Sequence, residues 1–253
     1  MADAFDFRYF PMICGFRDVV SELLLLQARR TIMIGQRLLI KLALICVAFV
    51  PWDAQAQDSL SAKSYYKRAQ KEYDKGEIRQ ALADYTKAIS INPRLAMAYY
   101  GRGLTFYTSG HCDKAIADFN RSIAISTRLA EAYNVRGLCW LNAGNVEQAI
   151  ADYSTALEID PSLSWAYYNR GTARAASGDL KGAIADYSDT INFAPRYASA
   201  YANRGLARLR LHREKEAKKD FATCLKLDAR LKPQLDHAIQ HLQAQILQAN
   251  IAP

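Results

Sequence analysis

Two charged side chains recur at a constant spacing along the chain, and an arginine beside a carboxylate is a pair that can bind ligands or transfer protons. The arginines are Arg68, Arg102, Arg136, Arg170 and Arg204, and the aspartates are Asp84, Asp118, Asp152, Asp186 and Asp220. A feature present in every unit of a repeat is better explained by structure than by one local site. We therefore predict a ladder of ion pairs between helices, with Asp152 within about 6 Å of a neighbouring arginine.

Other residues that could do chemistry form no complete site in the sequence. His237 and His241 are four residues apart, a helical spacing that can hold a transition metal, but no third ligand lies nearby. The chain has no nucleophile elbow, no zinc protease motif and no glycine-rich phosphate loop. We predict no catalytic, metal or cofactor site, and hence no enzyme.

Charge and cysteine content narrow the possible partners. The net charge is +8, and its clearest asymmetry is a basic run interrupted by acidic residues. That run contains Arg208, Arg210, Arg213, Lys215, Lys218 and Lys219. Its acidic neighbours can neutralise it on a helix, so we predict no nucleic-acid partner. The five cysteines form no dense, even framework, which excludes a disulfide-stapled small domain.

The elements that position these residues follow a period of 34 residues. Small residues lie at Ala69, Gly103, Gly137, Gly171 and Gly205, alanines at Ala81, Ala115, Ala149, Ala183 and Ala217, and aromatics at Tyr85, Phe119, Tyr153, Tyr187 and Phe221. Further glycines lie at Gly76, Gly110, Gly144 and Gly178. Each unit therefore contains two stretches without proline. Glycine separates them in four units, and proline follows the second stretch at Pro93, Pro161 and Pro195, which predicts a helix, a turn and a helix. A helical glycine costs about 1 kcal/mol relative to alanine, so its repetition indicates that two helices approach closely there.

This pattern resembles the tetratricopeptide repeat over residues 62–231. The resemblance implies an all-α superhelical solenoid of five helix-turn-helix repeats, at 62–95, 96–129, 130–163, 164–197 and 198–231. Single hairpins of this kind bury too little apolar surface to be stable, whereas stacked neighbours share one core. After the repeats, Pro233 opens a segment with Leu235, Ile239, Leu242 and Ile246 on one helical stripe, so residues 232–253 are predicted to be a capping helix and tail.

The same resemblance implies a binding groove, because in this family the first helix of each repeat lines the concave surface. The side chains at those places are Tyr66, Met97, Tyr100, Asn134, Trp165, Tyr168, Asn169, Asn203 and Arg210. They are aromatic and amide-rich, which suits the backbone of an extended peptide. Packing of Trp165 and Tyr168 against the adjoining repeat is the alternative. The clamp by which one branch of the family holds terminal carboxylates is absent, since Gly101, Glu131 and Val135 occupy its places.

The N-terminal region reads as a targeting segment. Residues 33–56 have basic residues before a short apolar run and end in a small-residue site, which predicts a secretory signal peptide cleaved between Ala56 and Gln57. Residues 1–32 do not fit a signal peptide, so we expect them to be a non-native extension before a start at Met33, and residues 57–61 to be a short linker. Export to the periplasm is then expected, and an uncleaved N-terminal anchor is the alternative.

Two functions remain open from the sequence. The first is an interaction scaffold that binds a peptide or protein partner of unknown identity in its groove. The second is an assembly element that acts by self-association or by peripheral contact with a membrane surface through the basic fifth repeat. The sequence does not define the oligomeric state.

Overall fold

The computed structural model describes residues 52–251, and within this range it consists of α-helices joined by short turns. The helices are α1 (Trp52–Asp74), α2 (Ile78–Ile91), α3 (Ala96–Thr108), α4 (Cys112–Ile125), α5 (Ala130–Asn142), α6 (Val146–Ile159), α7 (Ser164–Ala176), α8 (Leu180–Phe193), α9 (Ala198–Arg210), α10 (Glu214–Leu227) and α11 (Lys232–Ile251), with a 3-10 turn at Ala229–Leu231. The helices form paired antiparallel repeats, so the predicted all-α repeat superhelix is confirmed.

The predictions for the N-terminal region fall mostly outside these residues. The proposed extension at 1–32 and most of the signal segment at 33–56 lie outside the described part of the chain. We expect residues 57–61 to be a linker, but in the structure they belong to α1. They contain neither glycine nor proline, so nothing in their sequence interrupts a helix. Among residues 52–251, no helix is both long and apolar enough to cross a membrane.

The turn inside each repeat depends on a left-handed residue. Gly76, Gly110, Gly144 and Gly178 have φ between 77° and 89°, a conformation that costs glycine little. In the fifth repeat this place is taken by His212, whose φ is 56°. The fifth turn therefore keeps the geometry of the others at a conformational cost.

The two helices of a repeat are in contact where the small residue of one meets the aromatic residue of the other. A Cβ atom added to Gly137 would lie 2.7 Å from Cε1 of Tyr153, closer than carbon atoms can pack. The ring of Tyr153 is fully buried, and so is Ala149 beside it in the core. Close approach of α5 and α6 thus explains why this position in the helix is a glycine.

The recurring arginines and aspartates lie across the two helices of each repeat. Arg136 Nε and Nη2 donate to the two carboxylate oxygens of Asp152 at 2.8 and 2.5 Å, and Arg102 forms the same two-bond contact with Asp118 at 2.8 Å. Equivalent pairs are Arg68 with Asp84, Arg170 with Asp186, and Arg204 with Asp220. These groups hold the hairpins together, and no open acid site is formed by them.

Each arginine after the first also contacts the preceding repeat, which the sequence analysis did not predict. Its remaining guanidinium nitrogen, Nη1, donates to a polar side chain on the second helix of the repeat before it. The acceptors are Thr86, Asn120, Ser154 and Ser188, at distances of 3.1, 2.7, 3.2 and 3.0 Å from the arginine. The polar ladder therefore joins repeats to one another as well as the helices within them.

Helix α11 closes the C-terminal end of the stack. Leu235 and Leu242 are 4% and 6% exposed and pack, with Ile239, against residues of α9 and α10. Cys224, which shares its slot with Ala88, Ser122, Ala156 and Thr190, is fully buried in the same region. Leu235, Ile239 and Leu242 of the predicted apolar stripe thus form the face by which α11 covers the fifth repeat.

Candidate functional site

The predicted groove residues lie on the first helices of the repeats, and three of their tyrosines rest on buried aromatic rings. Tyr66 lies against Tyr85, Tyr100 against Phe119, and Tyr168 against Tyr187, with ring centroids 5.9 to 6.0 Å apart. Each is half-buried. Their rings are therefore held by packing while part of each side chain stays exposed, as in rigid anchoring groups.

The asparagines of the predicted groove bond to groups of neighbouring repeats. Asn169 Nδ2 donates to Oδ1 of Asn134 at 2.9 Å, and Asn203 Nδ2 donates to the hydroxyl oxygen of Tyr168 at 3.0 Å. Asn134 is only 7% exposed. Its expected role as a direct contact for a ligand does not fit this burial, because its side chain instead orients Asn169. Asn169 and Asn203 each retain further donor and acceptor capacity at the surface.

Three other predicted groove residues differ in how much of their surface is exposed to solvent. Trp165 is half-buried and packs on a cluster that includes Leu157 of the preceding repeat, which agrees with the packing alternative. Met97 is 38% exposed. Arg210 is exposed at the end of α9, and it takes part in none of the ion pairs formed among the described residues.

Two adjoining cavities lie beside the fifth repeat and share Asn203 and Leu206. The first has a volume of about 230 Å³, and the second of about 190 Å³. We call the two together the C-terminal depression. The first cavity is lined by Tyr168, Ser199, Ala202, Asn203, Leu206, Leu231, Gln234, Leu235 and Ala238, and the second by Thr172, Ala175, Tyr187, Asn203, Leu206, Ala207 and Arg210.

The depression exists because a ring is missing from the fifth repeat. The slot filled by Tyr66, Tyr100 and Tyr168 in three of the repeats holds Asn134 in the third and the still smaller Ala202 in the fifth. This absence of a large side chain opens the first cavity between α9 and α11. Ala202 and the residues of α11 were not predicted to belong to the site. The substitution of alanine for an aromatic residue in a regular slot was the sequence signal that could have revealed them.

The lining of the depression is mostly apolar and nearly uncharged. Among its lining residues Arg210 alone carries a formal charge. Burial is the largest influence on Tyr168 and raises its pKa to about 12, with smaller contributions from Tyr197 and Tyr187. Its phenol is therefore neutral at physiological pH, and Tyr197 lies edge-on to it with ring centroids 4.8 Å apart.

The other sequence candidates are not part of this depression. Within the basic run, Arg208 contacts Asp220 at 2.7 Å and Arg213 contacts Glu216 at 2.7 Å, so part of its charge is neutralised locally. His237 and His241 stack with ring centroids 6.4 Å apart. No group of three potential metal ligands occurs in the part of the chain that the structure describes.

Comparisons with known proteins agree with this architecture. One family model, described as TPR repeat, matches residues 69–110 and 141–178, and another, described as tetratricopeptide repeat, matches residues 198–230. No curated protein matches the chain.

Solved structures share the fold. A crystal structure of MamA is 25% identical and covers 65% of this chain and 96% of its own, with a TM-score of 0.61. MamA from Desulfovibrio magneticus RS-1 is 18% identical over 67% of this chain and 96% of its own, with a TM-score of 0.62. YrrB, described as a TPR protein with an unusual peptide-binding site, is 20% identical over 70% of this chain and 90% of its own, with a TM-score of 0.61. The repeated helical hairpins and these matches show that the chain contains tetratricopeptide repeats over the matched residues 69–110, 141–178 and 198–230.

Proposed function

We propose that this protein is an interaction scaffold, not an enzyme, and that it binds an extended peptide segment of a partner protein along its first helices. The C-terminal depression anchors one side chain of that segment. The observation that carries the proposal is the missing ring at Ala202, which opens a cavity beside the fixed ring of Tyr168. YrrB is described as binding a peptide, which supports the same class of ligand for this fold.

The size of each single cavity suits one peptide side chain. Each cavity is smaller than the roughly 300–1,000 Å³ of a typical small-molecule site. The neighbouring surface on α7 and α9 continues the site with Asn169 and Asn203, whose amides can donate to and accept from a peptide backbone. Because Arg210 is the one formal charge in the lining, the anchoring side chain is expected to be apolar.

The proposal is tested by filling the depression without disturbing the fold. Ala202→Phe places a ring where three other repeats already carry one, so the variant is expected to fold normally. Ala222→Phe is the matched control, because Ala222 is exposed on α10 and lies outside the lining. Peptides are first selected from a random phage-displayed library on the wild-type protein, and their affinities are then measured by fluorescence anisotropy.

Selected peptides are expected to bind Ala202→Phe at least about tenfold more weakly than wild type, and to bind Ala222→Phe unchanged. Binding should also persist between low and moderate salt, because apolar and amide contacts are weakly screened. Selection of no peptide, or equal affinity for both variants, would contradict the proposal. Affinity that collapses with salt while Ala202→Phe still binds would instead support action through the basic fifth repeat.

A further inference from the structure

Two of the cysteines lie at a junction between neighbouring repeats. Cys112 is the first residue of α4 in the second repeat and is half-buried. Cys139 lies in α5 of the third repeat and is fully buried. Both belong to the apolar cluster around Phe119 and Val135, and both thiols are free in the structure.

The two thiols are neighbours in this cluster, and the Cys112 side chain adds to the effect of burial in raising the pKa of the Cys139 thiol. The same two slots meet at the next junction, where Val146 and Ala173 pack in one cluster. Apolar residues therefore suffice to fill this contact. Among the junctions between repeats in residues 62–231, the one between the second and third repeats has cysteine in both of these slots.

We propose that Cys112 and Cys139 are a disulfide-forming pair, which links the second repeat covalently to the third when the protein meets an external disulfide. The pair is a modification site of the scaffold. It does not depend on the proposed peptide ligand, because its residues are not among those that line the C-terminal depression.

The reaction proceeds by two thiol–disulfide exchanges. The more accessible Cys112, as a thiolate, attacks one sulfur of the external disulfide, whose sulfur–sulfur bond breaks and releases one thiolate. Cys139 then loses its proton and attacks the Cys112 sulfur of the mixed disulfide, which releases the second thiolate. The protein loses two electrons to the external disulfide, and the two released thiolates take up the two protons.

The order of these steps follows from burial. Burial raises the pKa of the Cys139 thiol, and the contact with Cys112 raises it further. Its thiolate is therefore scarce at neutral pH, so the second exchange should be the slower one and should accelerate as the pH rises. Cys112 is the partner that an external disulfide can reach.

The test exposes the full reduced chain to oxidised glutathione, followed by acid quenching, alkylation and tryptic mass spectrometry. The two cysteines fall on different tryptic peptides, residues 103–114 and 137–170, so the disulfide is identified by the mass of the linked pair. The linked peptide should accumulate after a transient glutathione adduct on Cys112. The oxidised protein should unfold at a temperature about 5–10 °C higher than the reduced protein, because the link constrains the unfolded chain.

Variants separate this pair from the remaining thiols. Cys139→Ser should stop at the stable glutathione adduct on Cys112, and Cys112→Ser should form neither adduct nor link at Cys139. Cys224→Ser, which removes a buried thiol outside the pair, should keep both the linked peptide and the thermal shift. Absence of the linked peptide from oxidised wild type, or a thermal shift that survives in Cys139→Ser, would overturn the proposal.

Discussion

Neutralising Asp186 should destabilise the protein far more than neutralising Asp84, although the two aspartates occupy the same repeat position. Asp186 is 1% exposed, and its carboxylate accepts from Arg170 Nη2 at 2.7 Å and from Arg174 Nη1 at 2.9 Å. Asp84 pairs with Arg68, whose side chain is 59% exposed. Loss of the Asp186 charge leaves the largely buried Arg170 without its anion and leaves Arg174 with only its longer contact to Asp179, at 3.8 Å, whereas Arg68 remains in contact with water.

The expected magnitudes follow from this difference in burial. Removing one partner of a buried ion pair costs about 3–5 kcal/mol, so we expect a loss in this range for Asp186→Asn. Asp84 is itself buried, but its partner Arg68 is exposed, so their attraction is screened as in a surface pair and Asp84→Asn should cost about 1 kcal/mol. Repulsion supports the smaller value, since Asp84 contributes, after burial, to raising the pKa of neighbouring Glu72. Asp118→Asn, with one arginine partner at 2.8 Å, should fall between the two.

Urea unfolding followed by circular dichroism measures these differences. At a slope of about 2 kcal/mol per molar, Asp186→Asn should lower the midpoint by roughly 1.5–2.5 M, and Asp84→Asn by about 0.5 M or less. Wild-type helix content in each folded variant is the control for the native state. Equal losses in the two variants, or a loss below about 1 kcal/mol for Asp186→Asn, would show that burial does not set the strength of the ladder.

Three further predictions concern single side chains. Tyr153→Phe should raise stability by about 1 kcal/mol, because the buried hydroxyl of Tyr153 has no partner among the described residues. Tyr187→Phe should lower stability by about 0.5–1 kcal/mol, because the hydroxyl of Tyr187 is hydrogen-bonded to Thr172. Thermal unfolding of both variants distinguishes the two effects. His212→Gly should stabilise the fifth turn by about 1 kcal/mol by relieving a positive φ, and Gly178→Ala should cost a similar amount; a destabilised His212→Gly would contradict this reasoning. The pKa of Tyr168 is about 12 in the folded protein and 10 in the unfolded chain, so its contribution to stability is complete below pH 10 and is lost as the pH rises from 10 to 12. Alkaline unfolding of wild type and Tyr168→Phe tests this prediction. The variant should lose less stability than wild type over that pH interval.

The sequence predicted the repeat architecture well because its period imposes the same geometry in every unit. The spacing of Gly137, Ala149 and Tyr153 required two helices in close contact, and that contact is present. The candidate groove was less predictable, because exposure depends on neighbours that are distant in the sequence. Asn134 occupies a slot that the family uses for binding, but Asn169, 35 residues later, covers it.

The C-terminal depression was missed for a related reason. It requires α11 to approach α9, and the apolar stripe of α11 predicted a cap without showing which part of the groove the cap would border. The contribution of Leu235 to both the core and the cavity wall follows only from the packed arrangement. Alanine at position 202 was visible, but its meaning depends on the helix beside it.

The polar ladder that joins neighbouring repeats also marks where the repeat array ends. The slot that accepts a hydrogen bond from the next arginine holds Thr86, Asn120, Ser154 and Ser188 in the first four repeats. In the fifth repeat this slot holds Ala222, which has no side-chain acceptor. A sixth repeat of the same type would find no partner for its arginine there, whereas α11 docks through Leu235 and Leu242 and needs none. The fifth repeat therefore contacts the element after it through apolar side chains, whereas the earlier repeats contact the next repeat through a hydrogen bond as well. The cavity beside Ala202 forms where the repeats meet the capping helix.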